Sequence, residues 1–174
     1  ITLLDAAPRI LPALPERIAD ATMGILQGLN VEVRTGARVM QVRADGVELV
    51  GGEFIPSELV VWAAGVRGPK VLQHLDGLEV SRSSQLVVTP TLQTTRDPNV
   101  FAVGDCAWLV LDGGAEPVPP RAQAAHQEAS HLYKQILRKL GGRPLEPFVY
   151  PDFGSLVSLG EYSTVANLMG FLAG

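Results

Sequence analysis

The sequence predicts an α/β fold in which short parallel strands are joined by helices and interrupted by a small antiparallel β meander. Three observations predict it. The chain opens on an apolar run ending in an acidic residue, then a loop, a helical stretch and another strand, the order of a nucleotide-binding βαβ unit. Two hairpin signals, Asp45-Gly46 and Gly51-Gly52, separate three short strand-like runs. Farther on, an apolar run stops at Gly104-Asp105 and is followed, after a proline-rich loop, by an alanine-rich helix.

Composition bounds the function. With 47% hydrophobic and 18% charged residues in 174, the chain has the make-up of an α/β domain and no long charge run of the kind a disordered tail carries. A net charge of −4 without basic clustering speaks against a nucleic-acid surface. No apolar stretch reaches the roughly 18 residues a membrane span needs, and no signal peptide is visible. The single cysteine, Cys106, excludes an internal disulfide and any C-x-x-C redox pair within these residues.

In chain order, Ile1-Thr2-Leu3-Leu4 is the first strand and Asp5 ends it; prolines at 8 and 12 break the chain before a helix over about 16–28. A carboxylate at this strand end normally bonds the adenosine ribose of NAD and repels the extra phosphate of NADP, so Asp5 would favour NADH. Taken alone, Asp5 reads more simply as an acidic residue closing a strand. Residues 29–34 alternate as the next strand, and 39–42, 46–49 and 53–55 form the meander. Residues 59–65 return to a continuous apolar run, expected of a strand buried on both faces of a parallel sheet. Residues 69–75 read as a short helix or turn, 86–89 as a strand, and 90–98, polar with two prolines, as a linker.

Residues 100–103 are the next expected strand. Its stop at Gly104-Asp105 would let a ligand approach the backbone and meet one fixed carboxylate. The later helix, over about 121–140, begins Arg121-Ala122-Gln123, and its first turn would offer N–H groups and a positive dipole end. Ala122, Ala125, Ala129, Leu132, Tyr133, Ile136, Leu137 and Leu140 recur at spacings of three and four and mark its expected buried face. Gln123 and Gln127 lie one turn apart on the same side. Cys106 has no basic neighbour in sequence to activate it and reads as a packing residue; His126, His131 and His74 have no partner at ligand spacing and read as structural or surface residues.

The run Thr95-Arg96-Asp97-Pro98-Asn99-Val100-Phe101-Ala102-Val103-Gly104-Asp105 resembles a motif of the pyridine nucleotide-disulfide reductase superfamily, the flavoproteins with two dinucleotide-binding (Rossmann-like) domains. Downstream, Ala122, Gln123 and Gln127 resemble the AQ-x-x-x-Q signature of type II NADH dehydrogenases. The resemblance covers residues 1 to about 160. It implies that 1–89 is the second part of an NAD(H)-binding domain, 90–143 the carboxyl-terminal part of an FAD-binding domain, and 144–174 the start of a further domain. A complete enzyme of this kind is roughly twice as long or more, so a fragment is expected.

The same resemblance implies FAD and NADH as cofactors and a quinone as acceptor. Gly104 and Asp105 would meet the flavin ribitol, Ala64 and Gly65 the nicotinamide nucleotide, Ala122 and Gln123 the flavin ring, and Gln123 with Gln127 the quinone. No residue of the chain is expected to act as a catalytic acid or nucleophile, because the flavin carries the redox step. The parent protein is expected at the cytoplasmic side of the inner membrane, peripheral and held through parts outside the fragment, with a second copy as partner. The alternatives are a related reductase whose acceptor is ferredoxin or sulfide, or a non-catalytic piece that binds nucleotides weakly, since both glycine-rich phosphate loops would lie outside it. The apolar tail over 165–172 is expected to pack on further parts of the protein and, alone, to self-associate.

Overall fold

The computed structural model describes residues 1–159, 164–168 and 171–173. The chain divides into two compact units, Ile1–Ala63 with the segment from Phe153 onward, and Ala64–Asp152.

In the first unit, β1 (Thr2–Leu4), α1 (Glu16–Gly28) and β2 (Glu32–Arg34) form the expected βαβ, with β1 and β2 parallel and Leu3 opposite Val33. The loop ahead of α1 is held from inside: the Arg9 guanidinium donates to the carbonyls of Leu11, Pro12 and Leu14 at 2.9–3.2 Å. Pro15 precedes the helix and Glu16 places a negative charge in its first turn, where the dipole favours one. Ile18, Ala19 and Thr22 form the buried stripe, and Leu14 and Ile18 gather Leu11, Ile25, Val157 and Leu159 around them. The meander is present as β3 (Val39–Arg43), β4 (Gly46–Leu49) and β5 (Phe54–Pro56), paired antiparallel in that order. Gly46 is required there, because a Cβ would sit 2.3 Å from the Ile55 carbonyl oxygen. Three further strands, β8 (Ser155–Ser158), β9 (Thr164–Leu168) and β10 (Phe171–Ala173), form a second antiparallel sheet. The tail over 165–172 thus includes two paired strands; residues 169 and 170 and the packing of its side chains lie outside the described residues.

In the second unit, β6 (Leu86–Val88) and β7 (Ala107–Leu109) pair in parallel, Leu86 opposite Ala107. Leu86, Val88, Leu92, Ala102, Ala107, Leu109 and Phe148 form its core. α2 (Ala122–Leu140) follows a loop that turns at residues 112–114.

Four expectations need correction. Residues 59–65 form no strand: Leu59 is 80% and Val61 81% exposed. A strand buried in a parallel sheet needs neighbours that hide its faces and satisfy its edges, and among the described residues none pairs with this run. The strand expected at 100–103 is a single bridge from Phe101 to Gln93; the paired strand lies just after the Gly104-Asp105 turn. Residues 90–98 are no loose linker, since Leu92 is fully buried and the Gln93 amide donates to Pro98 O at 2.7 Å. Finally, α2 turns the other way about its axis. Its buried residues are Ala124, Glu128 and Gln135, while Tyr133, Ile136, Leu137 and Leu140 are exposed.

Candidate functional site

The site expected around Gly104 is assembled within the second unit. Val103 is extended, Gly104 takes φ +66°, and Gly104–Cys106 make one 3₁₀ turn before β7. Glycine serves two needs there: the left-handed backbone, and a clearance in which a Cβ would meet the Ala125 methyl at 3.3 Å. The start of α2 therefore packs directly on the turn. The Asp105 side chain is exposed at the tip. Cys106 is half-buried, and its Sγ donates to Val103 O at 3.2 Å, in keeping with a packing role.

α2 begins without a side-chain cap from Arg121, whose carbonyl accepts the Ala125 N–H at 3.0 Å. The two glutamines share a face, as expected, and both amides reach the segment that ends this unit. Gln123 Nε2 donates to Asp152 Oδ1 at 3.1 Å, and Gln127 Nε2 to Pro151 O at 3.2 Å. Arg121 joins the same carboxylate, Nη1 to Oδ2 at 3.2 Å. Tyr150 lies beside them with its hydroxyl oxygen buried and unbonded; Arg121 comes near without hydrogen-bond geometry. Burial pushes the Tyr150 hydroxyl up, and the Asp152 charge adds to the shift. On the flank of Gln127 an open groove of about 440 Å³ is lined by Ser130, His131, Lys134, Phe148 and Pro151 among others. His131 is structural, its Nε2 2.9 Å from Glu146 O and its ring edge-on to Phe148.

Four residues of the site escaped the sequence reading: Gln85, Glu128, Tyr150 and Asp152. Glu128 accepts the Gly104 N–H at 2.5 Å while itself 3% exposed. Burial pushes its carboxyl up, the Gly104 N–H opposes that, and the nearby Asp105 charge adds to it. Gln85, also buried, donates Nε2 to the carbonyls of Asp105 at 3.0 Å and Ala107 at 3.2 Å. A signal for Glu128 was available, because Ala124, Glu128 and Gln135 lie on one helical face at spacings of four and seven. Gln85 and Asp152 approach across 20 to 31 residues of chain and leave no local pattern.

Asp5 belongs to the first unit, where its Oδ1 accepts the Ala7 N–H at 2.8 Å. That contact is a local turn and leaves the second oxygen for other use. Ala64 and Gly65 begin the second unit, both exposed, Gly65 with φ +100°.

Residues 1–129 match the pyridine nucleotide-disulphide oxidoreductase family. The chain is 43% identical over 168 residues to a type II NADH:quinone oxidoreductase of Haemophilus influenzae, covering 97% of this chain and 38% of that protein. It is 32% identical over 173 residues to the protein of the same name from Staphylococcus aureus, covering 98% and 42%. The chain thus spans about two-fifths of the length of these relatives. Among solved structures, the fold resembles NDH2 of Plasmodium falciparum in complex with NADH, with TM-score 0.82 and 18% identity over 99% of this chain and 50% of that one. It also resembles a ferredoxin reductase from Rhodopseudomonas palustris, with TM-score 0.70 and 24% identity over 96% and 41%.

Proposed function

The chain belongs to the pyridine nucleotide-disulphide oxidoreductase family, and from that premise we propose that it is part of an FAD-dependent NADH:quinone oxidoreductase of type II. The observation that carries the reading is the Gly104-Asp105 turn, packed under the start of α2 with its carboxylate exposed and with Gln123 and Gln127 on the adjoining helix face. The 43% identity to the Haemophilus influenzae enzyme supports the same acceptor.

The residues present fit one part of a flavin dinucleotide. Asp105 supplies an exposed carboxylate for a ribitol hydroxyl, and the left-handed Gly104 turns the chain so that this carboxylate stands at the tip. The start of α2 supplies a partial positive charge for the electron-rich edge of the ring. When bound, FAD supplies the redox chemistry, accepting a hydride from NADH and passing two electrons to the quinone.

The chain's own residues bind and orient. Asp5 would hold the adenosine ribose of NADH, and Ala64 and Gly65, small and exposed, would let the nicotinamide approach. Gln123 and Gln127 hold the Pro151-Asp152 segment and would form with it one wall of the quinone entrance. Tyr150, with a buried hydroxyl that still lacks a partner, stands in that wall.

In this reading residues 1–89 belong to the NAD(H)-binding domain, 90–143 to the FAD-binding domain and 144–174 to a carboxyl-terminal one. No helix among the described residues is long and apolar enough to cross a membrane, and a lipid-soluble acceptor calls for peripheral attachment, which we place on the cytoplasmic face of the inner membrane. Pairing of two copies belongs to the same reading, supported by the apolar residues of the tail over 165–172.

The test is the absorbance of the purified full-length protein. Addition of NADH bleaches the oxidised-flavin band and a soluble quinone restores it. Bleaching that quinone does not reverse, while ferredoxin does, would replace this acceptor; a protein without flavin would end the reading.

A further inference from the structure

The turn that carries Asp105 is gripped from two sides by buried polar side chains of different elements. Glu128, from the second turn of α2, accepts the N–H of Gly104 at 2.5 Å. Gln85, from the residue before β6, donates to the carbonyls of Asp105 and Ala107. The peptide that enters Gly104 and the one that leaves Asp105 are therefore both held, and the Ala107 N–H closes the turn on the Gly104 carbonyl, while the Asp105 side chain is exposed.

Neither grip is explained by packing. Glu128 is 3% exposed and Gln85 6%. An apolar residue of similar size would fill either place without the cost of desolvating a carboxyl or an amide. The burial that pushes the Glu128 carboxyl up is a measure of that cost, and the Asp105 charge adds to it. What the two buried groups have in common is the backbone of one three-residue turn whose first residue occupies the left-handed region. With the turn held at both ends and closed on itself, Asp105 keeps mainly its two side-chain torsions to order when a ligand binds, so less entropy is lost on binding.

We propose that Gln85 and Glu128 are positioning residues for the flavin: they fix the Gly104-Asp105 turn so that the Asp105 carboxylate meets the ribitol in one orientation. The proposal rests on the FAD reading above.

The test is a double-mutant cycle on the full-length protein, with the FAD dissociation constant and the visible flavin spectrum as readouts. Asp105→Ala alone tests the FAD reading and is expected to weaken FAD. Glu128→Leu and Gln85→Leu are each expected to weaken FAD about tenfold and to shift the bound-flavin spectrum. Glu128→Gln keeps an acceptor for the Gly104 N–H and restores affinity to within about twofold of the original protein. In the Asp105→Ala background, Glu128→Leu is expected to lose most of its effect, because the group it positions is gone. Should Glu128→Leu not fold, Gln85→Leu carries the same cycle from a different element.

If Asp105→Ala leaves FAD affinity unchanged, the FAD reading fails and the inference with it. If Asp105→Ala weakens FAD but the second substitution adds its full effect, or has none alone, the FAD reading stands and the positioning role is overturned.

Discussion

The two α-helices among the described residues are held in different ways. α1 buries Ile18, Ala19 and Thr22, and its place depends on apolar contact with Leu11, Leu14, Val157 and Leu159. α2 buries Ala124, Glu128 and Gln135 and leaves Tyr133, Ile136, Leu137 and Leu140 exposed. Leu132 packs on the core of its unit, and directed bonds run along the rest of the helix. Glu128 reaches Gly104, Gln123 and Gln127 reach Asp152 and Pro151, Gln135 accepts the Glu146 N–H at 2.8 Å, and Lys139 donates to Pro98 O at 2.9 Å. Burial of apolar surface is non-directional and tolerates small slides, whereas a set of hydrogen bonds fixes rotation and register. The helix proposed to present groups to a cofactor is the one held by such bonds.

Substitutions in the two helices can break or sharpen this contrast. The largest loss is expected for Ile18→Ala in α1, about 2–4 kcal/mol in thermal unfolding, from lost transfer energy and the cavity left behind. Gln135→Leu in α2 should cost about 0.5–1.5 kcal/mol despite raising apolarity, because the Glu146 N–H loses its acceptor; a gain in stability would show that α2 is held by packing after all.

A smaller effect separates the helices by pH. Burial raises the Glu128 carboxyl in the folded protein, so the folded chain binds this proton more tightly than the unfolded chain. Its contribution to stability is fully present below the ordinary glutamate range and is lost as pH rises through the raised value. Glu128→Gln should remove that slope, seen as unfolding temperatures that fall less between mildly acidic and neutral pH; an unchanged slope would assign the dependence to other groups. The smallest effect belongs to the outer stripe, where Leu140→Gln in the 174-residue chain should stay within about 0.5 kcal/mol. A larger loss would mean that this stripe is buried.

The same contrast explains what the sequence could and could not disclose. The βαβ opening, the meander and the span of α2 follow from period, turn residues and breakers, all local signals. The rotation of α2 did not follow. Its apolar residues share one face, and periodicity alone places that face inward; the competing grip of Glu128 and Gln135 on distant backbone groups decided otherwise. Residues 59–65 failed for a related reason, since an apolar run becomes a buried strand only where neighbours lie on both edges. The Gly104-Asp105 turn, Gln123 and Gln127 were legible because their motif is short and contiguous. Gln85, Tyr150 and Asp152 join them from sites far along the chain.

The central proposal is that α2 presents Gln127 to a quinone and that the reduction of the flavin by NADH does not depend on it. Stopped-flow absorbance of the two half-reactions in the full-length Gln127→Leu variant tests this directly. The account predicts an unchanged rate of flavin reduction by NADH and a reoxidation by quinone slowed about tenfold. A slowed reduction by NADH with unchanged reoxidation would contradict it.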